Sequence, residues 1–180
     1  MQLFVRPGRI GHESIREIVF GVEDGVVQNL TLIAGMVGGG LSTTLIVFAA
    51  AINGLAGVLS MSMGTYLSSK AERDVAAADA LRPPGVETAP GRDAGVMAAA
   101  YALGAVVPII PFALVERTAA MAGAVMLALL TLFLLGYGKG MVSHQNRTRS
   151  GVEMLTLASL AGLAGFALGA IARGVFGLDV

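Results

Sequence analysis

The chain has no cysteine and no tryptophan, and only 13% of its 180 residues are charged. Without cysteine there are no disulfides, no thiolate metal sites and no cysteine nucleophile. Without tryptophan, any aromatic belt at a membrane surface must come from Tyr66, Tyr101, Tyr137 and the phenylalanines. The shortage of charge matters most. Soluble domains carry roughly a quarter charged residues, because water must be met by a polar surface. Here there are too few to clothe a water-facing globule, and 55% of the chain is hydrophobic. Basic and acidic residues balance at 12 each, so nothing offers an electrostatic footprint to nucleic acid. His12 and His144 are isolated and read as solvated, and no serine–histidine arrangement for nucleophilic catalysis is found. The chain is therefore expected not to be an enzyme and to hold no prosthetic group. Residues 2–18 carry three arginines and no apolar run, so no signal peptide is expected and the first apolar stretch stays in place.

What is present is long apolar runs. A spanning helix needs about 20 mostly apolar residues, since lipid cannot satisfy backbone polar groups. Five stretches qualify, at roughly 19–37, 43–67, 95–115, 119–137 and 152–175. The expected fold class is an all-α integral membrane protein of five transmembrane helices, forming one domain over 1–180. The linker 68–94 is polar, mixed in charge, and contains Pro83, Pro84 and Pro90. Its first part, rich in alanine and charged residues, reads as a helical extension of the second span that Pro83 ends. Ten of the 12 basic residues fall before span one, between spans two and three, and between spans four and five. Only Arg117 and Arg173 lie toward the other side. The positive-inside rule then places the N-terminus in the cytoplasm and the C-terminus outside. An odd number of spans agrees. Short length and arginine in excess over lysine point to the inner membrane of a bacterium.

The first span is unusual in carrying Glu23, Asp24, Gln28, Asn29 and Thr31. A carboxylate at bilayer depth costs at least about 2.5–3.5 kcal/mol, so it normally faces a cavity or a partner. At 3.6 residues per turn, Glu17, Asp24, Gln28 and Thr31 share one face, which Glu13 extends toward the cytoplasm. Asp24 on that stripe fits an ion pathway, whereas Glu23 reads as lying near the interface. The second span answers with Asn53, Gly57, Ser60, Gly64 and Ser68 on one face, where glycines allow close helix approach. Met61, Thr65 and Glu72 flank that stripe, and Met63 points away. Methionine is usually core filler. A thioether beside a carboxylate, however, suits a borderline divalent transition metal, which singles out Met61. The third span contains Pro108 and Pro111, which free backbone carbonyls and kink a helix. Gly162, Gly165 and Gly169 mark close packing of the fifth span, within the subunit or between subunits. Gly38-Gly39-Gly40 reads as a turn between the first two spans, and Glu116 and Arg117 as markers of an outer turn.

Three segments carry a resemblance. Arg16-Glu17-Ile18-Val19-Phe20-Gly21 followed by Asp24-Gly25 and Ile33-Ala34-Gly35 resembles the first helix of the vacuolar iron transporter family. Ser60-Met61-Ser62-Met63-Gly64-Thr65-Tyr66-Leu67-Ser68 resembles that family's second-helix signature, and Pro108-Ile109-Ile110-Pro111-Phe112 fits its third. The resemblance implies a five-helix protomer, a homodimer, and export of Fe2+ or a similar metal from the cytoplasm in exchange for protons. It places the family's pathway aspartate at Asp24 and its pathway methionine at Met61. Glu17, Gln28, Asn53 and Thr65 complete the expected pathway, with Glu13 and Glu72 at its cytoplasmic mouth. Mn2+ is a second expected cargo, and Co2+ and Zn2+ fit the same donors. The chain departs from the eukaryotic members in two ways. Its linker is short where they carry a glutamate-rich metal-capture domain, holding only Glu72, Asp74, Asp79, Glu87 and Asp93. Asn53 and Thr65 stand where some relatives have acidic residues. These departures favour the competing reading, a non-transporting membrane scaffold that keeps the fold.

Overall fold

The computed structural model describes the backbone of residues 10–78 and 89–177, and side chains over 14–77 and 89–177. The described residues are helical almost throughout: α1 (Ile10–Gly38), α2 (Thr43–Ala78), α3 (Pro90–Val106), α4 (Ile110–Leu114), α5 (Arg117–Val142) and α6 (Arg147–Phe176). Four of these, α1, α2, α5 and α6, contain stretches long and apolar enough to cross a membrane. α2 runs through the predicted polar extension to Ala78, while Pro83 and Pro84 lie outside the described residues.

The stretch expected as a third continuous span is divided. Proline has no N–H, so Pro108 cannot bond the carbonyl one turn back. The chain tightens around it: Val107 N–H donates to Gly104 O at 3.2 Å and Ile109 N–H to Val106 O at 3.0 Å. α3 ends there, and Pro111 occupies the first turn of the short α4, where a missing N–H costs nothing. The prolines thus produce a break in the helix, beyond the kink read from sequence. One consequence is that the carbonyl of Ala105 receives no N–H from its own helix in this turn.

α1 is the central element, packing on α3, α6, α5 and, least, α2. Two apolar clusters surround it. Val26 and Leu30 meet Ala128, Leu132, Met154 and Ala158, while Ile33 meets Ile46, Ala50, Phe112, Ala120 and Ala124. The alanines of α5 recur every four residues, a small-residue face that draws the backbones together. The glycines of α6 act within the subunit: Gly165 lies on Thr31 and Gly169 on Gly35, both of α1. The opposite faces are apolar and bare. Phe48, Ile52, Leu55, Leu59 and Met63 form a row along α2, each more than half exposed. A soluble protein rarely shows such a continuous apolar surface, whereas acyl chains accept it.

α1 ends in a left-handed turn at Gly40, φ 84°, where Leu41 N–H reaches back to Met36 O at 3.0 Å. Arg117 does more than mark the outer turn. Its guanidinium donates to Val37 O at 3.2 Å and Gly40 O at 3.4 Å, placing a cation on the negative end of α1. Arg117→Met removes both bonds and is expected to lower stability by about 1 kcal/mol. A melting curve of the detergent-solubilised variant checks this.

Candidate transport site

The polar residues of α1 separate into three groups, because a turn of 3.6 residues sends neighbours to different helices. Gly21 and Gly25 seat the helix on Ala100 and Tyr101 of α3, with no room for a Cβ at either position. That contact fixes which way the polar residues face.

The first group lines a cleft of about 940 Å³ toward the N-terminal end of α1. Its walls are Arg16, Val19, Phe20 and Glu23 of α1, with Ser60, Met61, Gly64, Thr65 and Ser68 of α2 opposite. Met97 of α3 and Lys139 of α5 complete it. The lower half of the predicted α2 stripe therefore faces this space. Gly64 has nothing within 4 Å of where a Cβ would stand, so within one chain it opens the cleft and brings no helix close. Met61 lies inward and half-buried, while Met63 is 63% exposed on the other side, as its position predicts.

The second group is Asp24, Gln28 and Tyr101. Gln28 Nε2 donates to Asp24 Oδ2 at 3.1 Å, and the Tyr101 hydroxyl donates to Gln28 Oε1 at 2.7 Å. The Tyr101 ring occupies the space that a side chain at Gly57 would need. Tyr101 is fully buried, which removes it from the interfacial belt expected from sequence; Tyr66 stays 44% exposed. Asp24 is half-buried and is not among the residues lining the cleft. The carboxylate that shares the cleft with Met61 is its neighbour Glu23.

The third group is structural and was not separated out by sequence. Asn29 is fully buried, and its Nδ2 donates to Ala105 O at 2.8 Å and Ala50 O at 3.2 Å. Asn53 Nδ2 donates in turn to Asn29 Oδ1 at 2.8 Å. One amide thus serves the carbonyl that the break at Pro108 leaves without a helical partner, and ties α1, α2 and α3 together. Asn53, expected on the pathway, spends its amide here.

The remaining predicted residues are not brought into these groups. Glu17 is buried at 3% exposure with its Oε1 on Arg16 Nε at 3.1 Å, while its Oε2 finds no hydrogen-bond partner among the described residues. Glu72 is exposed on the polar extension of α2, and the side chain of Glu13 lies outside the described residues. Thr31 returns its hydroxyl to Val27 O at 2.7 Å and is covered by Gly165. Among the described residues, no three His, Cys, Asp or Glu side chains come together as a metal centre. One chain offers a carboxylate, a thioether and hydroxyls in an open cleft, so any metal held there by one chain has an incomplete coordination shell.

Comparison with known proteins places this arrangement. A vacuolar iron transporter of Arabidopsis thaliana is 25% identical over 217 aligned positions, covering 89% of this chain and 87% of that protein. One of Eucalyptus grandis is 25% identical, covering 87% of this chain and 85% of the relative. A vacuolar iron transporter of Toxoplasma gondii is 37% identical over a shorter stretch, 38% of this chain and 22% of its own length. The first alignment is longer than the 180 residues present here, so the Arabidopsis protein carries residues that this chain lacks. The family model described as the VIT family matches residues 15–84 and 79–170, two segments that meet in the polar linker. With nearly the whole helical bundle matched in order, the chain belongs to the VIT family.

Proposed function

We propose that the protein carries Fe2+ or a similar divalent metal, Mn2+ included, out of the cytoplasm in exchange for protons. The observation that carries this reading is the cleft in which Glu23 of α1 faces Met61 of α2, one residue from Asp24. A carboxylate supplies charge, and a thioether favours a borderline transition metal over magnesium or calcium. The cleft lies toward the end of the bundle rich in basic residues, the cytoplasmic end by the positive-inside rule. Glu23 and the neighbouring Asp24 lie in a helix that lipid surrounds, a costly placement outside a functional pathway.

The broken α3–α4 segment supplies the fifth crossing in this reading, and the protein works as a homodimer. Two copies facing each other double the carboxylates and thioethers, which answers the incomplete shell of one chain. Asp24, held by Gln28, is the residue at which metal and proton exchange. Bound metal favours its ionised form, and a proton arriving from outside removes most of its attraction for the ion. Glu17 and Glu72, with Glu13, collect metal at the cytoplasmic mouth, and Gln28 and Thr65 line the way. The plant relatives are vacuolar iron transporters by name; for this chain the inner membrane of a bacterium is proposed.

The test is flux of Mn2+ or Fe2+ across liposomes containing purified protein, with and without a pH gradient. Asp24→Asn and Glu23→Gln are each expected to bring flux to background while the melting temperature holds. Undiminished flux in both variants would defeat the scheme. Absence of flux in the unaltered protein would favour a scaffold.

A further inference from the structure

The cleft contains a charge that the metal scheme does not use. Lys139 lies on α5 seven residues after Leu132 and eleven after Ala128, both fully buried, so it sits on the inward stripe of that helix. Its side chain is half-buried and lines the same cleft as Glu23, Met61 and Thr65. The other cation on the wall, Arg16, already has its Nε on Glu17. Among the described residues neither Lys139 nor Glu23 closes a direct ion pair, and both line the same cleft.

We propose that Lys139 is a tethered counter-ion that occupies the electrostatic place of the cargo and makes the cleft select divalent over monovalent cations. The proposal rests on the transport reading above and adds a specificity-determining residue to it. A carboxylate in a low-dielectric cleft needs a positive charge nearby, and the aminobutyl side chain of Lys139 supplies one from α5. An incoming K+ or Na+ brings the same single charge that the ammonium already provides. It gains no attraction by replacing it and loses its water. A divalent ion doubles the attraction to Glu23, since Coulomb energy scales with charge, and so can drive the flexible lysine aside. Met61 then adds preference among divalent ions. The same ammonium repels the cargo, so the site holds metal loosely enough to release it.

The experiment is Mn2+ binding to the purified full-length protein in detergent, read by the loss of the free-ion EPR signal. Titrations are run with K+ and again with N-methylglucamine at equal ionic strength. The unaltered protein is expected to bind Mn2+ equally in both salts. Lys139→Met keeps the apolar stem and removes the charge; it should bind Mn2+ about tenfold tighter in N-methylglucamine. In K+ that gain should shrink, because the monovalent ion now competes. Lys139→Arg, which restores a charge, should restore insensitivity to K+. Unchanged or weaker Mn2+ affinity in Lys139→Met, with a normal melting curve, overturns the proposal and leaves the transport reading standing. If Lys139→Met melts early, Lys139→Gln decides by the same criteria. An unaltered protein that neither binds nor transports Mn2+ or Fe2+ overturns both.

Discussion

Gly169→Ala is expected to destabilise the bundle by about 3 kcal/mol or more, because among the described glycines it has the closest backbone obstacle to an added methyl group. A Cβ at this position would fall on the carbonyl oxygen of Gly35, with Gly35 C at 2.7 Å and Gly39 N at 2.9 Å. All three obstacles are backbone, so no rotamer change can relieve them. α1 and α6 would have to separate along their length, opening the contacts at Gly38 and Gly165 as well. In lipid this matters more than in water. Helices there are not driven together by the hydrophobic effect, and close packing of small residues supplies much of their association. Gly174→Ala is the control on the same helix, five residues further on and on a different face, where nothing lies within 4 Å of the added carbon. There alanine should be neutral or stabilise by up to about 1 kcal/mol, the propensity difference between the two residues in a helix. Thermal melting of both variants in the same detergent checks the pair. Equal tolerance at the two positions would mean that α1 and α6 do not approach as described.

The difference between these two glycines also shows what a sequence of this kind reveals. Apolar length gave α1, α2, α5 and α6, because lipid leaves a backbone little choice but to be helical. The small-residue spacing of α6 was readable as a packing face, but not which helix it packs on, since Gly35 and Gly169 are far apart in sequence. The Pro108 and Pro111 pair announced an interruption. Whether it would bend the helix or divide it depended on a partner for the freed carbonyl, and that partner, Asn29, sits 100° around α1 from Gln28 and off the stripe that attracted notice. Lys139 was obscured for a related reason. Ending the fourth span at Tyr137 assigned the lysine to a loop, whereas α5 continues to Val142 and carries it inward. Its spacing from Leu132 and Ala128 was the available signal. The pairing of Met61 with Glu23 in the cleft, beside Asp24, follows from how Gly21 and Gly25 rotate α1 against α3, a contact that no periodicity in one helix encodes.

Asn29→Leu is expected to cost about 2–4 kcal/mol, well above the roughly 0.6 kcal/mol that a hydrogen bond between membrane helices contributes on average. That average is low because a freed group usually finds another partner nearby. Here the acceptor has none. Ala105 O would ordinarily receive the N–H of Ile109, but the turn around Pro108 has committed that N–H to Val106 O. Leucine at position 29 leaves this carbonyl bare in a fully buried place and orphans the amide of Asn53 as well. Asn53→Ala removes only the outer bond, and about 1 kcal/mol is expected. The link to the helix break can be isolated with a double-mutant cycle. Pro108→Ala supplies an N–H for Gly104 O, which lets the ladder shift back and gives Ala105 O a donor of its own. Asn29→Leu should then cost less in the Pro108→Ala background than in the unaltered chain, by about 1 kcal/mol. Strictly additive melting shifts would show that the asparagine holds α1, α2 and α3 together without serving the break. Coupling would show that the interruption of α3 and the amide from α1 form one device, stable only when both are present.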